Sequence, residues 1–306
     1  MPKTSSPDSF RGRLESEYLD GTNRESLAPI INSLRSQLWA SQKEAHRLKE
    51  RLGRRERKTA THMLIGDSHH QAGVSTDRVV WAARLANTHR PDVIVDMGDW
   101  ADMPSLWNLG NDRGRKSVEG ANVGEDIQAA REARERFQNE LDYEPRLVSC
   151  VGNHENRIDR FVDFFPMHSG TYTIEALGAE EFGWEVVPYG EVVVINGVCY
   201  CHTPLNPGTG KEIAGIHKAH QALTKGMMSV GFGHDHMRLY RELLRADQSK
   251  AMSIGTGCYF EHHEVYAGPT GNSNWWRGLV LVRDVCNGYG NVEFLPIEDI
   301  KRQYGN

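Results

Sequence analysis

This sequence of 306 residues has few cysteines, no long apolar run and no excess of positive charge, and each of these features excludes a class of protein. Five cysteines, an odd number, stand mostly within apolar stretches, which favours reduced core residues over a disulfide framework. They are Cys150, Cys199, Cys201, Cys258 and Cys286. No apolar run approaches the about 20 residues of a membrane-spanning helix, and the N-terminus lacks the apolar core of a signal peptide. We therefore expect a cytoplasmic protein without a membrane partner.

The overall charge is mildly acidic, with a formal net charge of −5. This balance gives no general attraction to nucleic acid, so any contact with nucleic acid has to be local. Hydrophobic residues (39%) and charged residues (25%) are typical of an ordinary globular protein. The length suffices for one large domain or two small ones.

The first 58 residues divide into a polar tail and a helical arm. Residues 1–25 are rich in small and polar residues and are expected to be disordered. Within residues 26–58, steps of three and four place a seam on one edge of a helix. The seam consists of Leu27, Ile31, Leu34, Leu38, Ser41, Ala45, Leu48 and Leu52. Two interpretations stay open: a coiled-coil homodimer through residues 27–52, and a helix packed on its own domain. The basic run at residues 51–58 fits a solvated helix end, with a phosphate-backbone contact as the alternative.

Five apolar runs further along the chain end in side chains that carry oxygen or imidazole groups. A buried strand that ends in this way places the side chain at the carboxyl end of a sheet, where α/β proteins bind ligands. The first two runs lead to Asp67 and His69, and to Asp99 and Asp102. The other three lead to Asn153 and His154, to His202, and to His234 and His236.

Aspartate, asparagine and histidine form a metal-ligand set without thiolate. Such ligands suit Mn²⁺, Fe, Zn²⁺ or Mg²⁺ and disfavour a soft-metal site. Two ions a few ångströms apart require a carboxylate that bridges them. A pair of this kind can clamp an in-line displacement at phosphorus and generate hydroxide from water near neutral pH.

In these motifs the sequence resembles the calcineurin-like metallophosphoesterases, which include Mre11-type nucleases and cyclic-nucleotide phosphodiesterases. The family pattern is D-x-H, GD-x-x-D, GNH-[DE], H and GH-x-H. This chain has all five blocks in order, and the surrounding strand–helix pattern extends the match over about residues 60–300. It resembles compact stand-alone members of the nuclease branch, a type found in bacteriophages, which would place it in the host cytoplasm.

The resemblance implies a role for each matching residue. One divalent ion would be held by Asp67, His69 and His236, and the other by Asn153, His202 and His234. Asp99 would bridge the two ions. His154 would face the leaving oxygen as a cationic stabiliser or acid, and Asp102 would fix its ring by a hydrogen bond. Mn²⁺ is the first choice of metal, with Fe, Zn²⁺, Mg²⁺ and Ni²⁺ as alternatives.

The implied activity is hydrolysis of a phosphoester by a metal-bound hydroxide. In the protein phosphatases of this superfamily, Arg-Gly follows the GD-x-x-D block, whereas Met103 and Pro104 stand here. A phosphodiesterase acting on nucleic acid or nucleotides is therefore the preferred interpretation, and a phosphomonoesterase is the alternative. A metal-binding scaffold that works through the helical arm is a second alternative, although it has no need of a leaving-group acid.

The chain from residue 59 to residue 306 is expected to form one α/β domain, a four-layer α/β/β/α sandwich. Helices are predicted from Thr76, as a capping residue, to His89, and over residues 123–141 with Asp126 and Arg134 on the solvated face. A further helix is predicted over residues 211–225, with Gly226 as its C-cap. Asn196 and Gly197 predict a hairpin turn. Four later strands, near residues 239–244, 251–255, 279–285 and 292–295, are assigned to a second sheet.

Three segments near the predicted site have open roles. The polar insertion over residues 103–122 is expected to shape a substrate pocket. Arg157 or Arg160 is predicted either to reach a substrate phosphate or to pair with Asp159 or Asp163. Residues 261–277 form either a pocket rim or an aromatic packing element.

Deletion of residues 1–58 distinguishes the two interpretations of the arm. If residues 27–52 form a dimer, the truncated protein is expected to be a soluble monomer, whereas the full chain is a dimer. Light scattering of the two proteins measures this difference. Two monomeric proteins, together with aggregation of the truncated one, would instead support a helix that covers its own domain.

Overall fold

Residues 59–106, 120–264 and 267–305, together with residue 41, are described by the structure, a computed structural model of the chain. Apart from residue 41, the predicted tail, helical arm and homodimer contact lie outside the described residues, as does most of the insertion after Met103. The division of the chain into a tail, an arm and a domain stays a prediction.

Eleven strands and six α-helices are found in the described residues. The strands are β1 (Ala60–Ile65), β2 (Val93–Asp96), β3 (Arg146–Cys150), β4 (Glu185–Val187), β5 (Val193–Ile195), β6 (Val198–Cys201), β7 (Ser229–Phe232), β8 (Arg238–Leu244), β9 (Lys250–Thr256), β10 (Gly278–Cys286) and β11 (Tyr289–Pro296). The helices are α1 (Asp77–His89), α2 (Val123–Glu140), α3 (Asn156–Phe164), α4 (Lys218–Gly226), α5 (Gly268–Asn274) and α6 (Ile297–Tyr304). Short 3₁₀ turns lie at Pro104–Leu106, Pro166–His168 and Ile174–Leu177.

The strands form two sheets. The first has the order β11-β10-β1-β2-β3-β4, and the second has the order β5-β6-β7-β9-β8. Neighbouring strands from β1 to β4 are parallel, and so are β6, β7 and β9. Parallel strands are buried on both faces and read as continuous apolar runs, which is the pattern that ends at the predicted ligands.

Alternate side chains of the first sheet enter two different apolar cores. Leu64 and Val95 join a core that also contains Tyr200 and Ile254 of the second sheet. Met63 points the other way, into a core with buried residues of α1, α2 and α6. This alternation follows from the two-residue period of a strand.

Helix α4 covers the opposite face of the second sheet. Its Ala219 and Ala222 pack with Val230 and Phe232 of β7. The layers therefore run helix, sheet, sheet, helix, which confirms the predicted fold class for the described domain. Among the described helices, none combines the length and the apolar character that crossing a membrane requires.

The assignment of all four later strands to the second sheet is wrong for two of them. Strands β8 and β9 do belong to that sheet, but β10 pairs antiparallel with β1, and β11 pairs with β10. Because β10 is apolar on both faces, it fits the buried position beside β1 and not an edge.

The helix predicted over residues 211–225 begins only at Lys218. An antiparallel bridge between Leu205 and Glu212 holds the preceding residues in a turn. The C-cap prediction is also wrong, because Gly226 lies within the helix and Met227 adopts the left-handed conformation, with a φ of 54°.

Two predictions about helix residues are corrected by hydrogen bonding. Thr76 precedes α1 without a side-chain capping bond; instead, Ser75 Oγ accepts from the Asp77 amide at 3.1 Å. Asp126 and Arg134 of α2 are buried and not solvated. Asp126 accepts from Ser105, and Arg134 donates to Asp96 at 2.6 Å, so each buried charge has a partner.

The predicted hairpin turn is confirmed. Asn196 (φ 50°) and Gly197 (φ 85°) join β5 to β6, and both have positive φ, as a type I′ turn requires. The same Asn196 connects the two sheets, because its Oδ1 lies 3.0 Å from His62 Nε2. Tyr200 of β6 donates its hydroxyl to His62 Nδ1 at 2.6 Å. Both nitrogens of a neutral His62 ring are thus satisfied.

His62 should make stability depend on pH. Burial lowers the pKa of His62 to about 4, against the opposing hydrogen bond to Asn196, while an unfolded histidine has a pKa near 6.5. Between those values the unfolded chain binds the additional proton. The neutral ring's contribution is therefore complete above pH 6.5 and is lost as the pH falls to 4, by roughly 3 kcal/mol. The free energy of unfolding, measured with urea at several pH values in this range, should depend less steeply on pH for His62→Asn than for the wild type.

A matched control is His220→Asn, which changes an exposed histidine on α4. Its unfolding free energy should follow the wild-type dependence on pH. An identical slope in His62→Asn and the wild type would contradict the inference that His62 is buried in its neutral form.

Candidate metal centre

The predicted ligands follow parallel strands of both sheets. Asp67 follows β1, Asp99 follows β2 and Asn153 follows β3 in the first sheet. His202 follows β6 and His234 follows β7 in the second. The carboxyl ends of the parallel strands meet at one edge of the sandwich, so five separate loops bring their side chains together there.

Four of the predicted ligands have an uncommon backbone conformation. His69, Asp99, His234 and His236 have φ values of 46°, 53°, 73° and 56°. Positive φ is rare for residues with a side chain and costs of order 1–3 kcal/mol each. Four of the seven predicted ligands therefore lie at strained backbone positions.

Two glycines of the motifs are required by close packing. A Cβ at Gly152 would overlap the carboxylate of Asp99, and a Cβ at Gly233 would overlap Asp67 Oδ1. The same carboxylate of Asp67 accepts the backbone N–H of His234 at 3.0 Å. Glycine in the GNH and GH-x-H blocks thus allows the loops to approach the two acids.

The first ligand group contains Asp67, His69 and His236, whose potential ligand atoms lie within 4.8 Å of one another. His236 Nε2 is 2.9 Å from Asp67 Oδ2. His69 Nε2 is buried and has no hydrogen-bond partner among the described residues. An unpaired buried nitrogen facing a carboxylate fits a metal ligand, because an ion would satisfy both.

The second ligand group contains Asp99, His202 and His234. Asn153 Oδ1 completes it, at 2.9 Å from His202 Nε2 and 2.7 Å from His234 Nδ1. His202 is oriented from behind, since its Nδ1 lies 2.9 Å from the Met97 carbonyl oxygen. A carboxylate, an amide oxygen and two imidazoles again fit a divalent ion of the harder kind.

A single oxygen of Asp99 lies between the two groups. Asp99 Oδ2 is 3.8 Å from His69 Nε2 in one group and 3.3 Å from His202 Nε2 in the other. Asp99 Oδ2 is therefore near potential ligand atoms of both groups.

Histidine neighbours keep both ligand carboxylates ionised. Burial would raise the pKa of Asp67, but the hydrogen bond and charge of His236 hold it below its ordinary value. Burial would also raise the pKa of Asp99, but the charges of His154 and His202 hold it well below its ordinary value. Anionic carboxylates are the form that binds a cation.

His154 and Asp102 form a buried pair beside Asp99. His154 Nδ1 is 2.8 Å from Asp102 Oδ1, and its Nε2 is 3.7 Å from Asp99 Oδ2. The predicted ion pairs of Arg157 are not formed among the described residues: its Nη1 instead donates to the carbonyl oxygens of Asp102 and Met103, at 2.7 and 3.3 Å. Arg157 thereby supports the loop that carries Asp102 and pairs with no helix carboxylate.

Glu155 is a buried residue whose role the sequence did not reveal. Its carboxylate accepts the backbone N–H groups of Asp99, Ala101 and Gly152, at 3.0, 2.8 and 2.8 Å. Burial, followed by the charges of Asp99 and Asp96, raises its pKa to about 7. Glu155 joins the loop after β2 to the turn after β3. Glu155 is the acidic residue that ends the GNH-[DE] block, and this position was the sequence signal that could have revealed its role.

Residues 261–277 contribute aromatic packing to the first ligand group. Trp275 lies against His236 with ring centroids 4.3 Å apart, and Phe260, just before the segment, stacks on His69 at 4.8 Å. The segment also brings the buried carboxylate of Glu264 to His69 Nδ1 at 2.8 Å. Sequence reasoning missed this carboxylate, because it follows His69 by 195 residues and belongs to no motif.

No protein-family profile and no curated protein matches this chain. Among solved structures, a novel archaeal phosphodiesterase is similar at 12% identity and a TM-score of 0.39, over 77% of this chain and 99% of its own length. A Streptococcus pneumoniae TIGR4 protein described as a predicted phosphoesterase has 13% identity and a TM-score of 0.34, over 79% and 92%. The E. coli phosphoesterase Yfce has 11% identity and a TM-score of 0.34, over 78% and 99%. At these TM-scores the similarities do not assign an activity to this chain.

Replacement of single ligands should show how the two groups share Asp99. Asp99→Ala is expected to weaken the binding of ions at both groups, because each loses the same carboxylate. His202→Ala and His236→Ala should each weaken one ion and keep the other. Elemental analysis after dialysis against Mn²⁺ counts the ions that each variant retains.

Asp163→Ala is a suitable control, since Asp163 is an exposed aspartate on α3 and should leave the metal content unchanged. If Asp99→Ala retains the metal content of the wild type, Asp99 does not bridge the two ions.

Proposed function

We propose that this chain is a phosphoester hydrolase that uses two divalent ions and cleaves phosphodiesters of nucleic acid or nucleotides. The observation that carries the proposal is the position of Asp99 Oδ2 between two buried groups of aspartate and histidine ligands. An isolated structural metal requires one such group, whereas a pair that shares a carboxylate is suited to phosphoryl chemistry.

The proposed division of the ligands between the two ions follows the resemblance. Asp67, His69 and His236 would hold one ion, and Asn153, His202 and His234 the other. Bound there, two divalent ions would activate water as the nucleophile and neutralise charge on the phosphoryl oxygens. Oxygen and imidazole donors without thiolate make Mn²⁺ the first metal to test, followed by Fe, Zn²⁺, Mg²⁺ and Ni²⁺.

His154 is the group that would assist the leaving oxygen. Its Nδ1 is occupied by Asp102, so the proton that it can donate to a substrate is on Nε2, the nitrogen nearer to Asp99 Oδ2. Asp102 fixes this orientation, and its hydrogen bond opposes burial, which lowers the pKa of His154. A scaffold that only binds metal has no use for a buried pair of this kind, which favours an enzyme over the scaffold alternative.

The residues after Asp102 favour a diester over a monoester. Met103 is buried and has a φ of 49°. At this position, the protein phosphatases of the superfamily that this chain resembles have a phosphate-binding arginine. Arg157 does not replace that arginine, because its Nη1 donates to backbone carbonyl oxygens. A dianionic phosphate monoester gains most from such an arginine, so its loss weakens monoester binding more than diester binding.

Metal removal and a paired substrate assay test this proposal. Chelation should abolish hydrolysis of bis(p-nitrophenyl) phosphate, and added Mn²⁺ should restore it, because both nucleophile and charge neutralisation depend on the ions. The monoester p-nitrophenyl phosphate should be the poorer substrate under the same conditions. Full turnover after metal removal, verified by elemental analysis, would refute the metal mechanism; faster monoester hydrolysis would support the phosphomonoesterase.

The role of His154 can be separated from metal binding. His154→Ala should keep both ions and lower turnover by roughly a hundredfold or more, the usual scale for a general acid. Asp102→Asn should show a smaller loss, because the ring keeps a hydrogen-bond partner without the charge. Loss of an ion from His154→Ala would mean that His154 is a ligand.

A further inference from the structure

The carboxylate of Glu264 meets a metal-ligand histidine on the side that faces away from the candidate ions. Glu264 Oε1 lies 2.8 Å from His69 Nδ1, while His69 Nε2 faces Asp99 at 3.8 Å. The Glu264 side chain is 7% exposed. Its hydrogen bond therefore fixes the ring so that Nε2 is the nitrogen available to an ion.

The backbone of Glu264 is held in place by one buried side chain. Asn272 of α5 accepts the Glu264 N–H through Oδ1 and donates to the Glu264 carbonyl oxygen through Nδ2, both at 2.8 Å. Asn272 also donates to the Gly268 carbonyl oxygen at 2.7 Å. Three hydrogen bonds from one amide thus place Glu264 against His69.

The carboxylate of Glu264 also contacts a second histidine. His262 Nε2 lies 3.0 Å from the same Oε1 atom. An ionised carboxylate behind an imidazole makes the opposite nitrogen a more basic ligand.

A second carboxylate approaches a histidine of the other ligand group, as a charge pair without a hydrogen bond. Glu212 Oε1 is 3.3 Å from His234 Nε2, and His234 Nδ1 faces Asn153. Glu212 differs in being 37% exposed and in facing Lys218 Nζ at 3.4 Å. Solvent and a competing cation weaken its effect on His234 relative to the effect of Glu264 on His69.

We propose that Glu264 and Glu212 are positioning residues that each set the affinity of a different ion. Glu264 acts through His69 on the ion of Asp67, His69 and His236. Glu212 acts through His234 on the ion of Asn153, His202 and His234. This inference rests on the proposed two-ion centre. It states that two residues outside the five motifs control the two ions separately.

Isothermal titration of the metal-free protein with Mn²⁺ tests the division. Glutamine keeps an oxygen acceptor and removes the charge, so Glu264→Gln should weaken one of the two binding steps by 10- to 100-fold. Glu212→Gln should weaken the other step by a smaller factor. Glu261→Gln is the matched control, since this exposed glutamate on the same segment pairs with Lys301 and should leave both steps unchanged.

Variants that retain only one of the two ions identify which ion each carboxylate controls. In His202→Ala the remaining ion is the one that His69 binds, so Glu264→Gln should weaken it and Glu212→Gln should not. In His236→Ala the remaining ion is the one that His234 binds, and the two effects should be exchanged. Equal effects of both substitutions in both backgrounds would overturn the assignment.

A merely structural role would give a different result. The melting temperature of the metal-free protein should be similar in Glu264→Gln and the wild type; a fall in that temperature with unchanged Mn²⁺ affinity would refute the inference. If Glu264→Gln does not fold, Asn272→Ala decides, because it loosens Glu264 while retaining its charge and should weaken the same ion. A wild type that binds no Mn²⁺ would instead refute the proposed two-ion centre itself.

Discussion

The carboxyl-terminal edge of the sandwich depends on Asp99, every polar part of which has a partner. Its backbone carbonyl accepts the N–H of His69 at 2.9 Å, and its own N–H donates to Glu155 at 3.0 Å. Its Oδ1 accepts the His154 N–H at 2.8 Å, while Oδ2 faces the imidazoles of both ligand groups. The loops after β1, β2 and β3 are thus connected through one residue, and the second sheet supplies its histidines across the same carboxylate.

A second buried contact supports that edge from below. Arg134 of α2 donates to Asp96, the last residue of β2, and to Ser149 of β3. The guanidinium carbon lies 4.0 Å from the centre of the Trp100 ring and 4.4 Å from that of Trp184. A buried charge in this setting is stabilised by both its ion pair and the aromatic faces. The helix layer and the strand that delivers Asp99 are therefore held in a fixed relation.

The sequence predicted the features that are local in the chain. Strands that end in Asp67, Asp99 and Asn153 are recognisable because an apolar run and its terminal ligand are adjacent in sequence. The hairpin at Asn196 is equally local. The two-sheet sandwich was inferred from the four later strands, of which only β8 and β9 belong to the second sheet.

The features that were missed depend on contacts between distant parts of the chain. Glu264 follows His69 by 195 residues, and no short motif marks their contact. Arg134 shows the complementary error: a charged residue on an amphipathic helix normally faces solvent, and only Asp96 on another element reveals why this one does not. Helix α4 was overextended because its periodicity continues through residues that a bridge at Glu212 keeps in a turn.

The strand order has a consequence for how the domain is assembled. Strand β1 lies between β2, which follows it closely in the chain, and β10, which comes from the other end of the described domain. Contacts of such large sequence separation slow folding, because a long loop closes before they form. Until β10 arrives, the apolar strand β1 has an unpaired edge, and such edges are where nascent chains associate with one another. We therefore expect the first sheet, and with it the environment of Asp67, to be completed late in folding.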